Sequence, residues 1–191
     1  MIPRLLHTSM LLLAAGGAAA ADLREISVEY ENDRYYLQSE VWFAAPREEI
    51  YRVLTDYDDY ERISSAFVEA YDVAPDEQGR PRFFTRMEGC LLLFCRSVER
   101  FGYLLLQPRE EIVAVTEPAR SDFKFCRERW RLERDGEGTL LYYDFEMEPD
   151  FWVPPVIGPW IIKRTLAHDG MDAIGRIEAL ALGKTPKPVG E

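Results

Sequence analysis

Pro149-Asp150-Phe151-Trp152-Val153-Pro154-Pro155-Val156-Ile157-Gly158-Pro159-Trp160 is an apolar loop stiffened by proline, and it runs into one helical stretch that ends near Leu182. Pro154 and Pro155 fix the backbone and remove two donors, so this stretch is neither strand nor helix interior. Everything from Phe67 up to the loop alternates with a period of two. Successive strands followed by one long helix predict an α+β fold. A curved antiparallel sheet of about six to seven strands wraps around the C-terminal helix, with two short helices after the first strand.

Working back from the loop, Thr139–Glu148 reads as a strand with Leu141, Tyr143, Phe145 and Met147 on one face. Asp135-Gly136-Glu137-Gly138 is a hairpin turn. Phe125–Glu133 carries Cys126, Glu128, Trp130 and Leu132 on one side. Ile112–Glu117 and Ser97–Leu106 are further strands, each stopped by a proline. Arg82–Glu88 alternates with Phe83, Thr85 and Met87 together. Phe67–Val73 closes at the turn Pro75–Gly79. Residues 35–44 form the first strand. Two short helices follow, one opened by Pro46 with Glu48 and Glu49 behind it, the other over Asp56–Ser64. Short connections between consecutive strands make an antiparallel meander.

A sheet of this kind buries one face. The inward side chains predicted to line it are Phe83, Met87, Trp130, Leu132, Tyr143, Phe145 and Met147. On the helix, Trp160, Ala167, Met171, Ile174 and Ile177 recur at three-to-four spacing, with Gly170 and Gly175 near them. Two outcomes are compatible with this pattern: a solid core, or a pocket left where small helix residues oppose large sheet residues. Phe151 and Trp152 on the proline loop either tuck under the helix or gate such a pocket and touch a membrane interface.

The N-terminus bears on the compartment. Arg4, the apolar run Met10–Ala15 and the small residues up to Ala21 have the layout of a cleaved signal peptide over residues 1–21, with the cut expected between Ala21 and Asp22. The apolar run is too short to span a bilayer core of roughly 30 Å. This predicts a periplasmic or secreted protein with a ligand-binding domain over residues 22–183 and a frayed tail over 184–191. Removing 21 residues from 191 leaves 170, one domain of ordinary size. Removing Arg4 takes the formal charge from −11 to −12. That charge argues against nucleic acid as a partner, and a monomer is expected.

Three cysteines remain, Cys90, Cys95 and Cys126. On a straight strand Cys90 and Cys95 would lie about 16 Å apart, beyond disulfide reach. They pair only if Leu91–Phe94 folds back, and the export signal favours oxidation. Cys126 is then a buried free thiol. Mature-chain His168 is a lone histidine, so no metal site is expected, and no residue pattern implies a cofactor.

Catalytic signatures are lacking. His168 and Asp169 are neighbours on a helix and do not face each other. No G-x-S-x-G occurs. Arg127, Glu128, Tyr142 and Tyr143 are candidates for a polar end of a pocket, although Arg127-Glu128-Arg129 also reads as a solvated strand face.

The element order, the run Ser121-Asp122-Phe123 to Trp130-Arg131-Leu132 and the block Pro149–Arg164 together resemble the START-like helix-grip superfamily, in particular its coenzyme Q-binding and polyketide cyclase branch. The resemblance covers residues 35–182. It implies a cavity between the concave sheet and the long helix that holds a hydrophobic small molecule or lipid without catalysis. The ligand-binding set is then Phe83, Met87, Trp130, Tyr143, Phe145, Met147, Phe151, Trp152, Trp160 and Met171. The alternatives are a cyclase or aromatase on the same fold, and a solid-cored module that docks a protein through Phe151-Trp152.

Overall fold

The computed structural model describes residues 21–91, 94–154 and 157–186, and at 90–91 and 94–95 the backbone only. Among them run eight strands in one antiparallel sheet: β1 (Asp22–Glu31), β2 (Arg34–Phe43), β3 (Phe67–Val73), β4 (Arg82–Leu91), β5 (Phe94–Gln107), β6 (Glu111–Thr116), β7 (Phe123–Asp135) and β8 (Gly138–Pro149). Their spatial order is β1-β2-β8-β7-β6-β5-β4-β3. The strands β3 to β8 form the expected meander, and β2 returns beside β8.

The sheet has one strand more than the upper expectation, and the addition is β1. The two short helices therefore follow the second strand. They are helix α1 (Arg47–Thr55) and a 3₁₀ turn at Tyr57–Arg62. β1 is an edge strand with mostly exposed or half-exposed residues, so its period-two signal is weak. It reaches β2 through Asn32 and Asp33, both in the left-handed region with φ 51° and 64°. Two such residues in a two-residue connection make the hairpin turn whose twist matches its strands. At the β7–β8 turn, Gly136 takes the same conformation.

Helix α2 (Gly158–Ala181) starts with Pro159 in its first turn, where the missing donor does no harm. It ends on Gly183 at φ 69°. There Gly183 N–H donates to Leu180 O at 3.0 Å and Lys184 N–H to Ala179 O at 2.7 Å. Those two bonds satisfy carbonyls that a helix end otherwise leaves open. α2 lies across β1 and β2 and against α1.

The core has two parts. The larger joins Val41, Phe43, Ile50, Leu54, Tyr57 and Phe83 to Trp130, Leu132, Leu141 and the end of α2 at Ile177, Leu180 and Ala181. The smaller gathers Tyr35, Leu37, Phe123, Cys126, Phe145 and Met147, with Ile162 and Leu166 of α2 against it. The buried stripe of α2 thus runs through Ile162, Leu166, Ile174, Ile177 and Ala181. It shares Ile174 and Ile177 with the one expected, but Trp160 and Met171 point outward, 65% and 59% exposed, and Gly175 is exposed. Gly170 does face the sheet, next to Ile26 of β1.

Candidate functional site: a polar cluster under the helix grip

The alternation of β5 and β7 sets the site. On β5, Arg100 shares a phase with Gly102 and Leu104. On β7, Glu128 lies between Cys126 and Trp130 in the same phase. Both phases face the core, so a guanidinium and a carboxylate are carried inward with the apolar residues. Arg100 is 2% exposed, and its Nη1 donates to Glu128 Oε1 at 2.9 Å. The pair spans β6, where Ala114 is the register partner of Glu128. Arg100 Nε reaches Thr116 Oγ1 at 3.4 Å.

Around this pair stands a stack of rings. The Arg100 guanidinium lies over Phe83 at 5.5 Å. Phe83 stacks on Tyr57 at 4.4 Å, and Tyr57 on Tyr60 at 4.2 Å. On the other side Trp130 stacks on Tyr143 at 5.4 Å, and Tyr143 on Phe145 at 6.4 Å.

Three buried donors in this neighbourhood have no hydrogen-bond partner among the described residues: Arg100 Nη2, Tyr57 Oη and Thr85 Oγ1. A buried polar group left unpaired is costly, so such groups mark places where an acceptor is wanted. Burial, with Tyr60 and Glu128 adding to it, holds the Tyr57 hydroxyl well above the ordinary tyrosine value. Burial does the same to Tyr143, with Glu128 next in effect. Both are therefore neutral donors at any physiological pH. Burial opposes the charge on Arg100, but Cys126, Glu128 and Tyr57 outweigh it and hold the guanidinium well above its usual value. Burial pushes the Cys126 thiol up to about 11.

The ten residues expected to line a ligand fall into three groups. Phe83, Trp130, Phe145 and Met147 are buried, while Met87 and Tyr143 are inward but half-exposed. Phe151 is half-buried, edge-on to Phe123 at 6.4 Å with Arg96 over its ring at 4.5 Å. Trp152, Trp160 and Met171 are outside: Trp152 is 78% exposed. The proline loop therefore splits its two rings, one tucked and one in solvent. Trp160 and Met171 are not part of an inner wall, because α2 presents the Ile162–Leu166 stripe to the sheet instead. An open recess of about 430 Å³ follows the outer side of α2 past Trp160, Arg164 and His168.

Of the polar candidates, Glu128 is inside, whereas Arg127 is exposed and Tyr142 lies on the outer face under Arg131 at 4.4 Å. Arg100, Thr85 and Tyr57 were not expected as site residues. The clue for Arg100 was its phase with Leu104, which puts a charge where an apolar residue belongs. Contrary to the expectation that these helix neighbours do not face each other, His168 Nδ1 comes within 3.3 Å of Asp169 Oδ1 at the surface. The backbone makes Cys90 and Cys95 register partners on β4 and β5, which is the fold-back their pairing requires. Their side chains lie outside the described residues.

The profile of a family described as polyketide cyclase / dehydrase and lipid transport matches residues 15–177. No curated protein matches the chain. Among solved structures, a START superfamily protein from Mycobacterium smegmatis has a TM-score of 0.61 at 22% identity, over 76% of this chain and 98% of its own. A STAR-related lipid transfer protein from Xanthomonas axonopodis has a TM-score of 0.58 at 13% identity, over 86% and 98%. The Zhui aromatase/cyclase from Streptomyces has 0.54 at 14% identity, over 78% and 92%. These likenesses are in the fold, and they include both lipid-transfer proteins and cyclases. With the profile covering most of its length, this helix-grip chain belongs to the polyketide cyclase / dehydrase and lipid transport family.

Proposed function

We propose that this protein is exported and holds an apolar molecule with an oxygen-bearing head between the concave sheet and α2, without catalysing a reaction. The observation that carries this reading is the set of unpartnered buried donors on Arg100, Tyr57 and Thr85. A carboxylate or carbonyl oxygen is the group that satisfies them. Trp130, Tyr143, Phe145 and Met147 supply the apolar surface next to them, and burial of a hydrocarbon chain drives uptake at roughly 25 cal/mol per Å². Few polar groups in an apolar wall is the usual make-up of a small-molecule site. The family description, which names lipid transport, supports the same class.

Trp152 projects from the loop ahead of α2 and Ile157 and Trp160 from its start, with the Arg164 guanidinium over the Trp160 ring at 5.9 Å. On an otherwise acidic chain this apolar and basic corner suits brief contact with an anionic bilayer, where a ligand is picked up or released.

The test is native mass spectrometry of protein recovered from a periplasmic fraction, then incubated with a long-chain fatty acid or with the matching alkane. One acid per chain is expected, and much less alkane. Arg100→Met combined with Glu128→Leu should lose the preference for the acid. A chain that stays bare with both compounds removes the binding reading. A cyclase would instead convert a polyketide substrate, and Tyr57→Phe and Tyr143→Phe would then lower turnover, not retention.

A further inference from the structure

Glu178 is an acid in an unfavourable place. It lies in the last turn of α2, where the helix dipole disfavours a negative charge. It is 8% exposed, and among the described residues it has no cationic partner. Its Oε1 accepts the backbone N–H of Ala44 at 2.9 Å. Its Oε2 accepts the backbone N–H of Ala21 at 2.7 Å. A buried carboxylate is normally paired with a cation, and here one oxygen is aimed at the backbone nitrogen of Ala21, the residue just ahead of β1. Ala21 itself packs against the main core, as does Leu23.

Small residues allow several cuts in this region, two of them next to Ala21. Ala18 and Ala20 precede the bond Ala20–Ala21, and Ala19 and Ala21 precede Ala21–Asp22. The second would discard the residue that fills Oε2. The first would turn the amide that now donates to Oε2 into a free amine at the same place.

We infer that export processing cuts the Ala20–Ala21 bond, and that Glu178 is the receptor for the resulting α-ammonium group of Ala21. This rests on the export part of the function proposed above. One water is consumed: its oxygen forms the new carboxylate of Ala20, and the amide nitrogen of Ala21 leaves as an ammonium group carrying both protons of that water. The result is an ion pair between the first residue of the mature chain and the end of its last helix. Glu178 then ties three separate segments together: the N-terminus, the Ala44 connection ahead of α1, and α2.

The full 191-residue chain is expressed in a Gram-negative host, fractionated, and its N-terminus sequenced together with an intact mass. The expected mature start is Ala21-Asp22-Leu23. An exported chain that starts at Asp22, or anywhere else, overturns the inference while leaving export intact. An uncut chain confined to the cytoplasm overturns export with it, and fatty-acid retention can still be measured on that material.

The role of Glu178 needs a second readout. Chains starting at Ala21 are compared with the same chain acetylated at its N-terminus alone, each with and without Glu178→Gln. Acetylation is expected to lower Tm by about 2–8 °C in the native chain and to have little effect in the Glu178→Gln chain. An equal effect of acetylation in both backgrounds overturns the ion pair.

Discussion

Arg100 of β5 reaches across β6 to Glu128 of β7, and the two charges meet at 2.9 Å inside the sheet. Removing one of them strands the other. Arg100→Met alone, or Glu128→Leu alone, should lower unfolding free energy by about 3–5 kcal/mol, while the double substitution should recover most of that loss. Urea unfolding of the three variants measures it. Additive losses in the double variant would mean that the pair does not act as a unit.

Gly102 lies on β5 where there is no room for a side chain. A Cβ there would meet the carbonyl oxygen of Val115 and the ring of Phe83. Phe83 is fully buried and pinned by Tyr57, so it cannot give way. Gly102→Ala should lower Tm by several degrees, corresponding to about 1–3 kcal/mol of overpacking. Gly175→Ala, in open space on α2, is the control and should be neutral or slightly stabilising.

The Cys126 thiol, buried and pushed up to about 11, should resist a thiol reagent at pH 8 in the folded protein and react at once in guanidinium. We propose that Cys90 and Cys95 pair once the protein is in an oxidising compartment, since their backbones are register partners on β4 and β5. Without reductant, the unfolded chain should then titrate a single thiol and weigh two hydrogens less than its sequence. Three thiols under those conditions would refute the pairing.

Alkali should unfold the protein from above pH 10. Burial, then Tyr30 and Asp33, raise the Tyr35 hydroxyl to about 12 from its ordinary 10. Between those values the unfolded chain releases the proton and the folded chain keeps it, so the unfolded state gains as pH rises. Tyr35 therefore contributes stability that is complete below pH 10 and is lost as pH climbs through 12. Burial raises Tyr57 and Tyr143 in the same sense. Tyr35→Phe should flatten part of this decline in a Tm-against-pH series.

Trp152 and Trp160 are the most exposed large apolar side chains among those described. Replacing both by serine should leave Tm within about 2 °C, since little packing is lost. The same variant should sediment less with vesicles containing anionic lipid. Unchanged sedimentation would assign these rings no part in membrane contact.

Much of this architecture could be read in the chain, because six strands alternate cleanly between core and solvent. β1 could not, since an edge strand with both faces half-wet carries little pattern. The helix grip was legible as a length and an order of elements, but not as a rotation. Trp160 and Met171 drew the eye as large side chains, while the actual seam runs through Ile162, Leu166 and Ile177. In the site, the aromatic half followed from alternation. The polar half was harder to see because Arg100 and Glu128 resemble the many arginines and glutamates that pair on the outer face, such as Arg129 with Glu111 and Arg34 with Glu146. Only strand phase separates the two kinds, and phase depends on knowing where each strand begins.

The place of β2 has a kinetic consequence. Tyr35 is the register partner of Met147 and Phe43 of Thr139, so the β2–β8 pairing joins an early strand of the chain to its last one. Local hairpins form in microseconds, but closing a loop of about a hundred residues must wait for that length of chain to be available. β1 and β2 therefore have no partner beyond each other until β8 arrives. A chain emerging from a membrane pore start-first would keep its first hairpin waiting, open to other strands, until nearly the whole sequence had passed.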